Sequence, residues 1–572
     1  MKISDYIVKY LITNNVKHVF GYPGGMVTHL MHSLGENRDY IETHINYHEQ
    51  AAAFAACGYA QASGNVGVAF ATSGPGATNL LTGIGHAYFD SIPTVFITGQ
   101  VNTFESKGDS SIRQKGFQET DIVSMAKPIT KAAFYVDKAE ELPYILNHAF
   151  EIAMLNRKGP VLLDIPMDIF RTHISDNTSV EFAKCDENTD EVVAGAFKNK
   201  IIELLDHSKR PCILIGNGIK IDNQVENMRG ILRSCPIPVV SSMLAVDVIP
   251  EGQGLEGVYY GFVGAYGNRT ANFAVAKCDL LICLGSRLDI RQVGGAREKF
   301  APNAKIIRID VDVNELNNKI REDEEQFNIP LSDAIPILRN ILSKYNCFDE
   351  WISVCKEIKN QIKYTDEREP NKYVNELSRI VPDDYSVTAD VGQNMVWTAQ
   401  SFKLKPHQRV YFSGGMGAMG FSLPAAIGIY YATSKPVICI NGDGGLQMNI
   451  QEFQFLVREN IPIKIFVMNN SSLGMIRHFQ EMYFDSKYYF TVEKCGYDSP
   501  DFVKIANGYG IESHVIENVE DIKNIRFNNG PELFDIRLQH NTVLVPKLEY
   551  GKPNQDQEPL LDRKLYNYLM EL

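Results

Sequence analysis

The sequence predicts an α/β protein of three consecutive domains, each with a parallel sheet flanked by helices. The first observation is that short, β-branched apolar runs alternate with helical patterns along the whole chain. The second is that two polar stretches, Arg171–Glu191 and Asp349–Tyr373, divide this alternation into three segments. The third is size: 572 residues with 44% hydrophobic composition suffice for several cores.

Each segment contains four runs with the length and composition of strands. Residues 1–172 contain HVFGYPGG, VGVAFATSGPG, PTVFITG and GPVLLDIP. Residues 190–345 contain CILIGNGIK, IPVVSSM, CDLLICLGSRLD and AKIIRIDVD. Residues 370–550 contain SVTADVGQN, PVICINGDGG, IKIFVMNN and ELFDIRL, and residues 551–572 form a C-terminal tail. Arg171–Glu191 is interpreted as a linker, and Asp349–Tyr373 as a charged helical connection.

Composition excludes several function classes. A net charge of −13, with no long basic run to offset it, argues against a nucleic-acid or anionic-membrane partner. The ten cysteines lack CxxC spacing, as expected of reduced thiols in a cytoplasmic protein. Met1 leads directly into an amphipathic pattern rather than a signal sequence, and no apolar run approaches the roughly 20 residues that a membrane helix needs.

The stretch from Asn441 to Asn470, NGDGGLQMNIQEFQFLVRENIPIKIFVMNN, places polar residues after two predicted strands. Pro436–Ile440 and Ile463–Met468 are the strands. Leu446, Ile450, Phe453 and Val457 recur at helical spacing between them and predict one amphipathic helix.

Parallel strands joined by a helix deliver Asp443 and Asn470 to the same edge of the sheet, where α/β folds bind ligands. A carboxylate and an amide oxygen suit Mg²⁺, and the glycines allow a phosphate to approach the start of the helix. Gly-Asp-Gly alone is also an ordinary turn. The Asn-Asn pair that ends the next strand favours a metal–diphosphate site.

Motifs along nearly the whole chain resemble the thiamine-diphosphate (ThDP) enzymes of the acetolactate (acetohydroxyacid) synthase type. In chain order, the motifs are FGYPGG, YHEQAAAFAACGYA, TSGPGATNLLTGI, GFQETDIV, GSRLDIR, DVGQN, GGMGAMGFSLPAAIG and GDGG…NN…LGMIR. The resemblance implies pyrimidine-binding, central and diphosphate-binding domains.

The resemblance also implies a metal clamp on the ThDP diphosphate. Asp443, Asn470 and the backbone carbonyl of Ser472 match the Mg²⁺ ligands of the family. Further implied cofactor contacts are Gly24, Gly25, Gly392, Gln393, Asn394, Gly417, Gly442, Gly444, Gly445, Gly474 and Met475. Many family members carry histidine where this chain has Asn394.

Glu49 matches the glutamate that, in the family, binds the aminopyrimidine ring and activates the cofactor. A first-turn glutamate can also serve only to complement the helix dipole, but the small-residue helix that follows favours the catalytic role. Met419 matches the bulky residue between the two cofactor rings, and the backbone of Gly417 faces the pyrimidine. Since Glu49 and the metal ligands come from different subunits in the family, a homodimer or homotetramer is implied.

Three features favour carboligation, the transfer of a two-carbon unit to a second carbonyl. Phe117 and Gln118 match a pair near the reacting centre. Arg291 matches an arginine that binds the second substrate's carboxylate or contacts a flavin. The central domain resembles those that bind FAD, which implies contacts from Arg157, Gly216, Gly218 and Asp310.

The resemblance leaves three reactions open. The first is acetolactate synthesis from two pyruvates, with 2-keto acids as substrates, as in branched-chain amino acid biosynthesis. The second transfers the same acetyl donor to another acceptor, such as a nucleotide-linked keto sugar. The third is decarboxylation or oxidation without ligation.

Two departures from the family bear on the acceptor. Phe479 replaces a tryptophan, and the loop between Asn102 and Gly116 is longer than usual and carries Lys107, Arg113 and Lys115. The loop is either a flexible surface segment or a lid that binds a phosphate-bearing acceptor.

Overall fold

A computed structural model describes residues 1–175, 191–345, 348–362 and 367–572. Residues 176–190 of the predicted linker, Asn346–Cys347, and residues 363–366 of the charged connection lie outside the described residues. The described part contains three sheets of six strands, and all neighbouring strands pair in parallel. The predicted fold class is confirmed. No helix in these described ranges is long and apolar enough to cross a membrane.

The first sheet has the strand order β2-β1-β3-β4-β6-β5. Its strands are β1 His18–Gly21, β2 Glu42–Ile45, β3 Gly67–Ala71, β4 Thr94–Gln100, β5 Ala132–Tyr135 and β6 Pro160–Pro166. Its helices are α1 Ile3–Thr13, α2 Thr28–Glu36, α3 Glu49–Ser63, α4 Pro75–Asn79, α5 Leu81–Phe89, α6 Ile122–Ala126, α7 Leu142–Met154 and α8 Met167–Arg171. The chain runs from β1 to β2 on one side and then crosses to β3 on the other side, so the strand order reverses between β1 and β3.

The second sheet has the order β12-β11-β10-β7-β8-β9, and the strand order reverses between β7 and β10. Its strands are β7 Pro211–Ile215, β8 Val239–Ser241, β9 Tyr259–Phe262, β10 Leu280–Leu284, β11 Lys305–Ile309 and β12 Glu325–Phe327. Its helices are α9 Glu191–His207, α10 Gly218–Ile221, α11 Val225–Ser234, α12 Arg269–Lys277, α13 Ile290–Val293, α14 Val313–Asn317, α15 Leu331–Leu342 and α16 Asp349–Gln361. Read from β9, this is the order typical of dinucleotide-binding sheets.

The third sheet, in the order β14-β13-β15-β16-β18-β17, repeats the topology of the first. Its strands are β13 Ser386–Ala389, β14 Val410–Phe412, β15 Val437–Gly442, β16 Ile463–Asn469, β17 Glu512–Ile516 and β18 Glu532–Arg537. The helices of this part are α17 Asn371–Ile380, α18 Gln393–Ser401, α19 Ser422–Thr433, α20 Asp443–Gln447, α21 Phe453–Glu459, α22 Gly474–Tyr483, α23 Phe502–Tyr509, α24 Val519–Lys523 and α25 Arg563–Glu571. The last helix packs on the second domain, where Leu569 is buried against Phe273.

The prediction of one continuous helix from Leu446 to Val457 is wrong. The structure has α20, then a short 3-10 turn, then α21, with Asn449 in a non-helical conformation between them. The side chain of Asn449 explains the break, because its amide donates to Gly420 O at 2.8 Å and to Gln50 Oε1 at 3.3 Å. These tertiary hydrogen bonds outweigh the local helical periodicity.

The first and third domains share one core through α3 and α19. Glycines make the close approach possible. A Cβ on Gly58 would lie 2.3 Å from Ala425 O, and a Cβ on Gly428 would lie 1.8 Å from Ala55 O. The run of alanines in α3 therefore serves tight helix packing between the two domains that carry the predicted site residues.

Candidate active site

Asp443 and Asn470 meet at the carboxyl edge of the third sheet. Asp443 follows β15 and Asn470 follows β16, its neighbour in the sheet. The backbone N–H of Ser472 donates to Asp443 Oδ2 at 3.0 Å and to Asn470 Oδ1 at 3.2 Å. The side-chain oxygens of two predicted metal ligands, Asp443 and Asn470, therefore converge on the backbone of Ser472.

The electrostatics of this point favour a cation. Burial raises the pKa of Asp443 to about 6, although hydrogen bonds from Tyr497 and from the Ser472 amide favour the ionised form. Ser472 Oγ is buried and has no hydrogen-bond partner in the described part of the chain. Burial destabilises the ionised carboxylate of Asp443, and a nearby divalent cation would stabilise it. Carboxylate and amide oxygens are ligands that Mg²⁺ takes. The donor set fits Mg²⁺.

Residues after β13 line the same crevice, because β13 and β15 flank the reversal point of the third sheet. Gln393 Oε1 accepts from Asn470 Nδ2 at 3.2 Å and from Thr542 Oγ1 at 3.0 Å. A Cβ on Gly474 would lie 2.2 Å from Gln393 Oε1, so a larger residue there would displace the Gln393 amide from its contact with Asn470. Asn394 Nδ2 donates to Ile440 O at 3.4 Å.

Met419 lies against the glycines that begin α20. A Cβ on Gly444 would lie 3.2 Å from Met419 Cε, so the methionine extends over the start of this helix. Gly417 and Gly392 have φ values of +63° and +129°, which other residues rarely adopt. Met475 packs, half-buried, at the edge of the core of this domain, and Gly442 is near Asn394.

Sequence reasoning missed Asp390, which orders this crevice. Its carboxylate accepts hydrogen bonds from the backbone amides of Val391 at 2.7 Å, Gly420 at 3.1 Å and Ser422 at 3.2 Å. A Cβ on Gly445 would lie 2.9 Å from this carboxylate. Complete burial raises the pKa of Asp390 to about 7 against these hydrogen bonds. The signal was present, since Asp390 directly follows β13 as Asp443 follows β15.

Glu49 lies at the start of α3, beside the reversal point of the first sheet. It is 8% exposed, and its Oε2 accepts from Asn79 Nδ2 at 2.9 Å. A Cβ on Gly76 would lie 3.2 Å from its other oxygen. Gly24 packs against Thr72, whose Oγ1 accepts from the Met26 amide, while Gly25 stands in open space.

Phe117 and Gln118 lie in the same region as Glu49. Gln118 has a φ of +64°, and its Cβ would lie 2.9 Å from a Cβ on Gly74, in the loop that precedes α4. Phe117 is 80% exposed. The structure therefore brings Gln118 to the edge of the first sheet near Glu49 and leaves the Phe117 ring facing outward from this single chain.

Glu119 organises the long loop that precedes this pair. Its carboxylate accepts from Ser106 Oγ at 3.0 Å and from the backbone amides of Lys107, Lys115 and Gly116 at 2.6, 2.8 and 3.3 Å. Burial opposes ionisation, but these hydrogen bonds outweigh it and lower the pKa of Glu119. The Lys107 and Lys115 amines donate to carbonyls of the loop itself. The loop is thus an internally hydrogen-bonded unit.

A cleft of about 280 Å³ lies at the reversal point of the second sheet and is also lined by Phe89, Asp90 and Gly414 of the other two domains. The turns after β7 and β10 touch, since a Cβ on Gly216 would lie 1.9 Å from Gly285 O and one on Gly218 would lie 2.8 Å from Gly285 Cα. A backbone bare of side chains at this position lets a dinucleotide approach.

The cleft offers unused polar groups. Ser242 Oγ and Gln292 Nε2 are buried with no hydrogen-bond partner in the described ranges. Asp310 follows β11, and burial raises its pKa despite the nearby Arg157. These features fit a bound dinucleotide such as FAD.

The structure places both predicted arginines at this cleft. Arg157 pairs with Asp312 at 2.8 Å and with Glu315 at 2.7 Å. Arg291 lies over the Tyr266 ring, 5.7 Å from its centroid. Asp90 joins the cleft to the third domain, because its carboxylate accepts from the amides of Gly414 and Gly415 at 2.8 and 2.7 Å.

Comparison with known proteins agrees with the three-domain fold. Three family models match the chain: the N-terminal TPP binding domain of thiamine pyrophosphate enzymes over residues 1–125, the central domain over 199–329, and the C-terminal TPP binding domain over 390–527. The chain therefore contains thiamine-diphosphate-binding domains.

Curated relatives match over almost their full length. The acetolactate synthase isozyme 2 large subunit of Escherichia coli is 34% identical, covering 97% of this chain and 99% of the relative. The acetolactate synthase large subunit of Lactococcus lactis is 34% identical, covering 96% and 94%. The acetolactate synthase of Arthrospira platensis is 33% identical, covering 96% of both chains. The chain belongs to the acetolactate synthase family of ThDP-dependent enzymes, and is an acetolactate-synthase-like carboligase.

Proposed function

We propose that this enzyme decarboxylates pyruvate and transfers the two-carbon unit to a second 2-keto acid, giving 2-acetolactate when that acceptor is pyruvate. The observation that carries the proposal is the convergence of Asp443, Asn470 and Ser472 in a chain whose relatives are acetolactate synthases over nearly their full length. Mass spectrometry of the products formed from pyruvate alone tests it. Acetolactate is expected, and acetaldehyde or acetate as the only product would contradict ligation.

Bound ThDP supplies a nucleophilic carbon and accepts the electrons that decarboxylation releases. The Asp443 carboxylate and the amide oxygen of Asn470 would hold Mg²⁺, with the Ser472 carbonyl as a third ligand. Gln393 and Gly474 shape the crevice beside these residues. Met419 would contact the cofactor rings, since it extends over Gly444.

Glu49 would hold the proton that activates the cofactor's aminopyrimidine. Its burial keeps bulk water from the carboxylate, and Asn79 fixes its orientation. Gln118, held near Gly74, would face the acceptor. These roles place proton transfer in the first domain and charge stabilisation in the third.

We infer FAD in the cleft of the second domain. Gly216 and Gly218 would face the pyrophosphate, Asp310 would bind the ribose or adenine end, and Ser242 and Gln292 would gain the partners that they lack. Arg157 would border the cofactor through its pair with Asp312, and Arg291 would face the flavin or the acceptor carboxylate. The absorption spectrum of the purified protein, with and without added FAD, shows whether the protein binds FAD.

We infer that the active site forms between two copies of the chain, in a homodimer or homotetramer. The contacts of Glu49 come from its own domain, and exposed apolar side chains stand beside both half-sites, including Tyr22 and Phe117 in the first domain and Met448 and Ile476 in the third. Co-expressing Glu49→Gln with Asp443→Ala tests this. If each site is shared between two chains, one of the two sites in a mixed dimer combines the unchanged Glu49 with the unchanged Asp443, and activity is regained. If each site lies within one chain, every site carries one substitution and the mixture stays inactive.

The identity of the acceptor is the finer question. The lysines of the 102–116 loop are engaged by loop carbonyls, and this observation favours a 2-keto acid over a phosphate-bearing keto sugar. Competition between pyruvate and a nucleotide-linked keto sugar, followed by mass spectrometry, measures the choice. A sugar adduct as the main product would reverse it.

A further inference from the structure

Two histidines and a glutamate form a cluster at the edge of the first sheet, away from the proposed ThDP site. His18 and Glu42 are the first residues of β1 and β2, whereas the residues assigned to the cofactor follow the opposite, carboxyl ends of the strands. In the parallel register His18 pairs with Glu42, and His44 is two residues further along β2. Since side chains alternate between the faces of a strand, all three lie on one face of the sheet.

Three ligand atoms of this cluster converge. His18 Nδ1 lies 3.0 Å from His44 Nε2, and Glu42 Oε2 lies 3.6 and 3.8 Å from these nitrogens. A point equidistant from all three atoms is about 2.0 Å from each of them. Zinc binds imidazole nitrogen at about 2.0–2.1 Å and carboxylate oxygen at about 2.0–2.2 Å.

We propose that His18, His44 and Glu42 form a binding site for one divalent transition-metal ion of the Zn²⁺ class. Two imidazoles and one carboxylate are the ligand set that such ions take, whereas Mg²⁺ prefers oxygen ligands alone. The three side chains leave further coordination positions on the ion. These positions would face solvent on the side of Glu42, which is 62% exposed.

The surroundings keep the ligands ready to bind. Tyr431 of the third domain stacks on His44 with a centroid separation of 3.7 Å, and Tyr59 packs edge-on against His18 at 5.5 Å. These rings hold the imidazoles in place. The nearby Arg458 is neutralised in part by Glu459 at 2.8 Å.

A second cluster shows by contrast what makes this one a site. Glu512, His514 and Glu532 also lie close together. However, Glu532 is paired with the buried Lys464 at 2.6 Å, and Glu512 accepts from Asn528 at 2.7 Å. With one imidazole and both carboxylates engaged, that cluster is a salt-bridge network. It supplies a matched control.

The protein is first dialysed against a chelator to remove bound transition metals and is then reloaded with ThDP and excess Mg²⁺. This holoenzyme is titrated with Zn²⁺ by calorimetry. Wild type is expected to bind one more equivalent of Zn²⁺ with high affinity than either His18→Asn or Glu42→Gln does. His514→Ala is expected to match wild type. Because the ion binds the folded state, Zn²⁺ should raise the melting temperature of wild type and of His514→Ala but not of the two ligand variants.

Co²⁺ binding provides a spectroscopic measurement that does not depend on calorimetry or on melting temperatures. Visible d–d absorption that appears in wild type and is at least tenfold weaker in Glu42→Gln supports the site. Glu42 is exposed, so its variant is expected to fold even if a histidine variant does not. Equal Zn²⁺ stoichiometry and equal Co²⁺ spectra in wild type and Glu42→Gln would overturn the proposal, as would no high-affinity equivalent in wild type.

Discussion

The carboxylate of Asp443 and the side-chain amide oxygen of Asn470 share one hydrogen-bond donor, the backbone N–H of Ser472, at 3.0 and 3.2 Å. The two side chains follow neighbouring strands of the sheet, and the shared donor fixes their separation. This relationship leads to the first prediction.

Asp443→Ala is expected to weaken Mg²⁺ and ThDP binding together, by tenfold or more, because the ion bridges protein and diphosphate. Titration calorimetry of ThDP in the presence of Mg²⁺ measures it. Asn469→Ala is the matched control, since the Asn469 side chain binds Asp535 and Ser471 instead. Unchanged ThDP affinity in the Asp443 variant would contradict the assignment of Asp443 as a ligand of the metal ion that binds the diphosphate.

Glu49→Gln is expected to fold and to bind ThDP but to lose about 10²–10⁴-fold in turnover, the usual contribution of a positioned acid–base group. Asn79 can still donate to the glutamine oxygen, so the local structure is retained. Steady-state rates of pyruvate consumption measure the loss. Glu36→Gln, the same change at an exposed position, should leave the rate unchanged, and a near-wild-type rate for Glu49→Gln would contradict the assignment.

Glu452 predicts a pH dependence of stability. It joins the third domain to the first, accepting from Asn46 Nδ2 at 3.0 Å and from the Tyr47 amide at 2.8 Å. Burial raises its pKa from 4.5 to about 7, so the folded state retains a proton that the unfolded state releases in this window. Its contribution to stability is full below pH 4.5 and is lost as the pH rises to about 7.

In Glu452→Gln this loss is absent, so the decrease in the free energy of unfolding between pH 5 and pH 8 should be smaller than in wild type, by roughly 1–3 kcal/mol. Denaturant unfolding of both proteins at the two pH values tests it. Glu517→Gln, at a position 64% exposed, should behave as wild type. Parallel pH profiles for Glu452→Gln and wild type would mean that Glu452 is already ionised at pH 5.

Glu119→Gln is expected to loosen the 106–116 loop, because an amide cannot accept all four of the hydrogen bonds that the carboxylate accepts. Trypsin should then cleave at Lys107, Arg113 or Lys115 at least tenfold faster. Asp121→Asn is the control, since asparagine also caps a helix. Equal cleavage rates would show that other contacts hold the loop.

Shortening the loop between Asn102 and Gly116 is expected to leave donor decarboxylation intact while it alters ligation. Separate rates for carbon dioxide release and for product formation measure the two steps. An equal loss of both would make the loop a structural part of the cofactor site.

Phe479 predicts a weak preference for 2-ketobutyrate over pyruvate as acceptor. Its ring is 48% exposed and packs on Tyr483 at 4.7 Å, and it offers a smaller apolar wall than tryptophan. Phe479→Trp should raise the preference by about 1–3 kcal/mol, or about 10–200-fold, without abolishing ligation. Competition between the two acceptors measures the ratio, with Phe484→Trp as control, and a strong preference in wild type would contradict the role of Phe479.

The sequence by itself determined the inner strands of all three sheets. Twelve runs were predicted, and they correspond to the four inner strands of each sheet, such as β15 and β16, which are almost completely buried. The edge strands were not predicted. Strands such as β2 and β17 are covered on one side only, so their residues alternate with exposed ones and carry no continuous apolar run.

The candidate site divides in the same way. Asp443 and Asn470 could be predicted because strand ends meet at one edge of a parallel sheet, whatever the rest of the chain does. Only the tertiary structure decided where Tyr497, Thr542 and Glu452 act. Their partners are distant in sequence, and a hydrogen bond between distant residues leaves no periodicity along the chain. The break at Asn449 has the same cause, because hydrogen bonds to Gln50 of α3 and to Gly420 outweighed a local pattern that favoured a continuous helix.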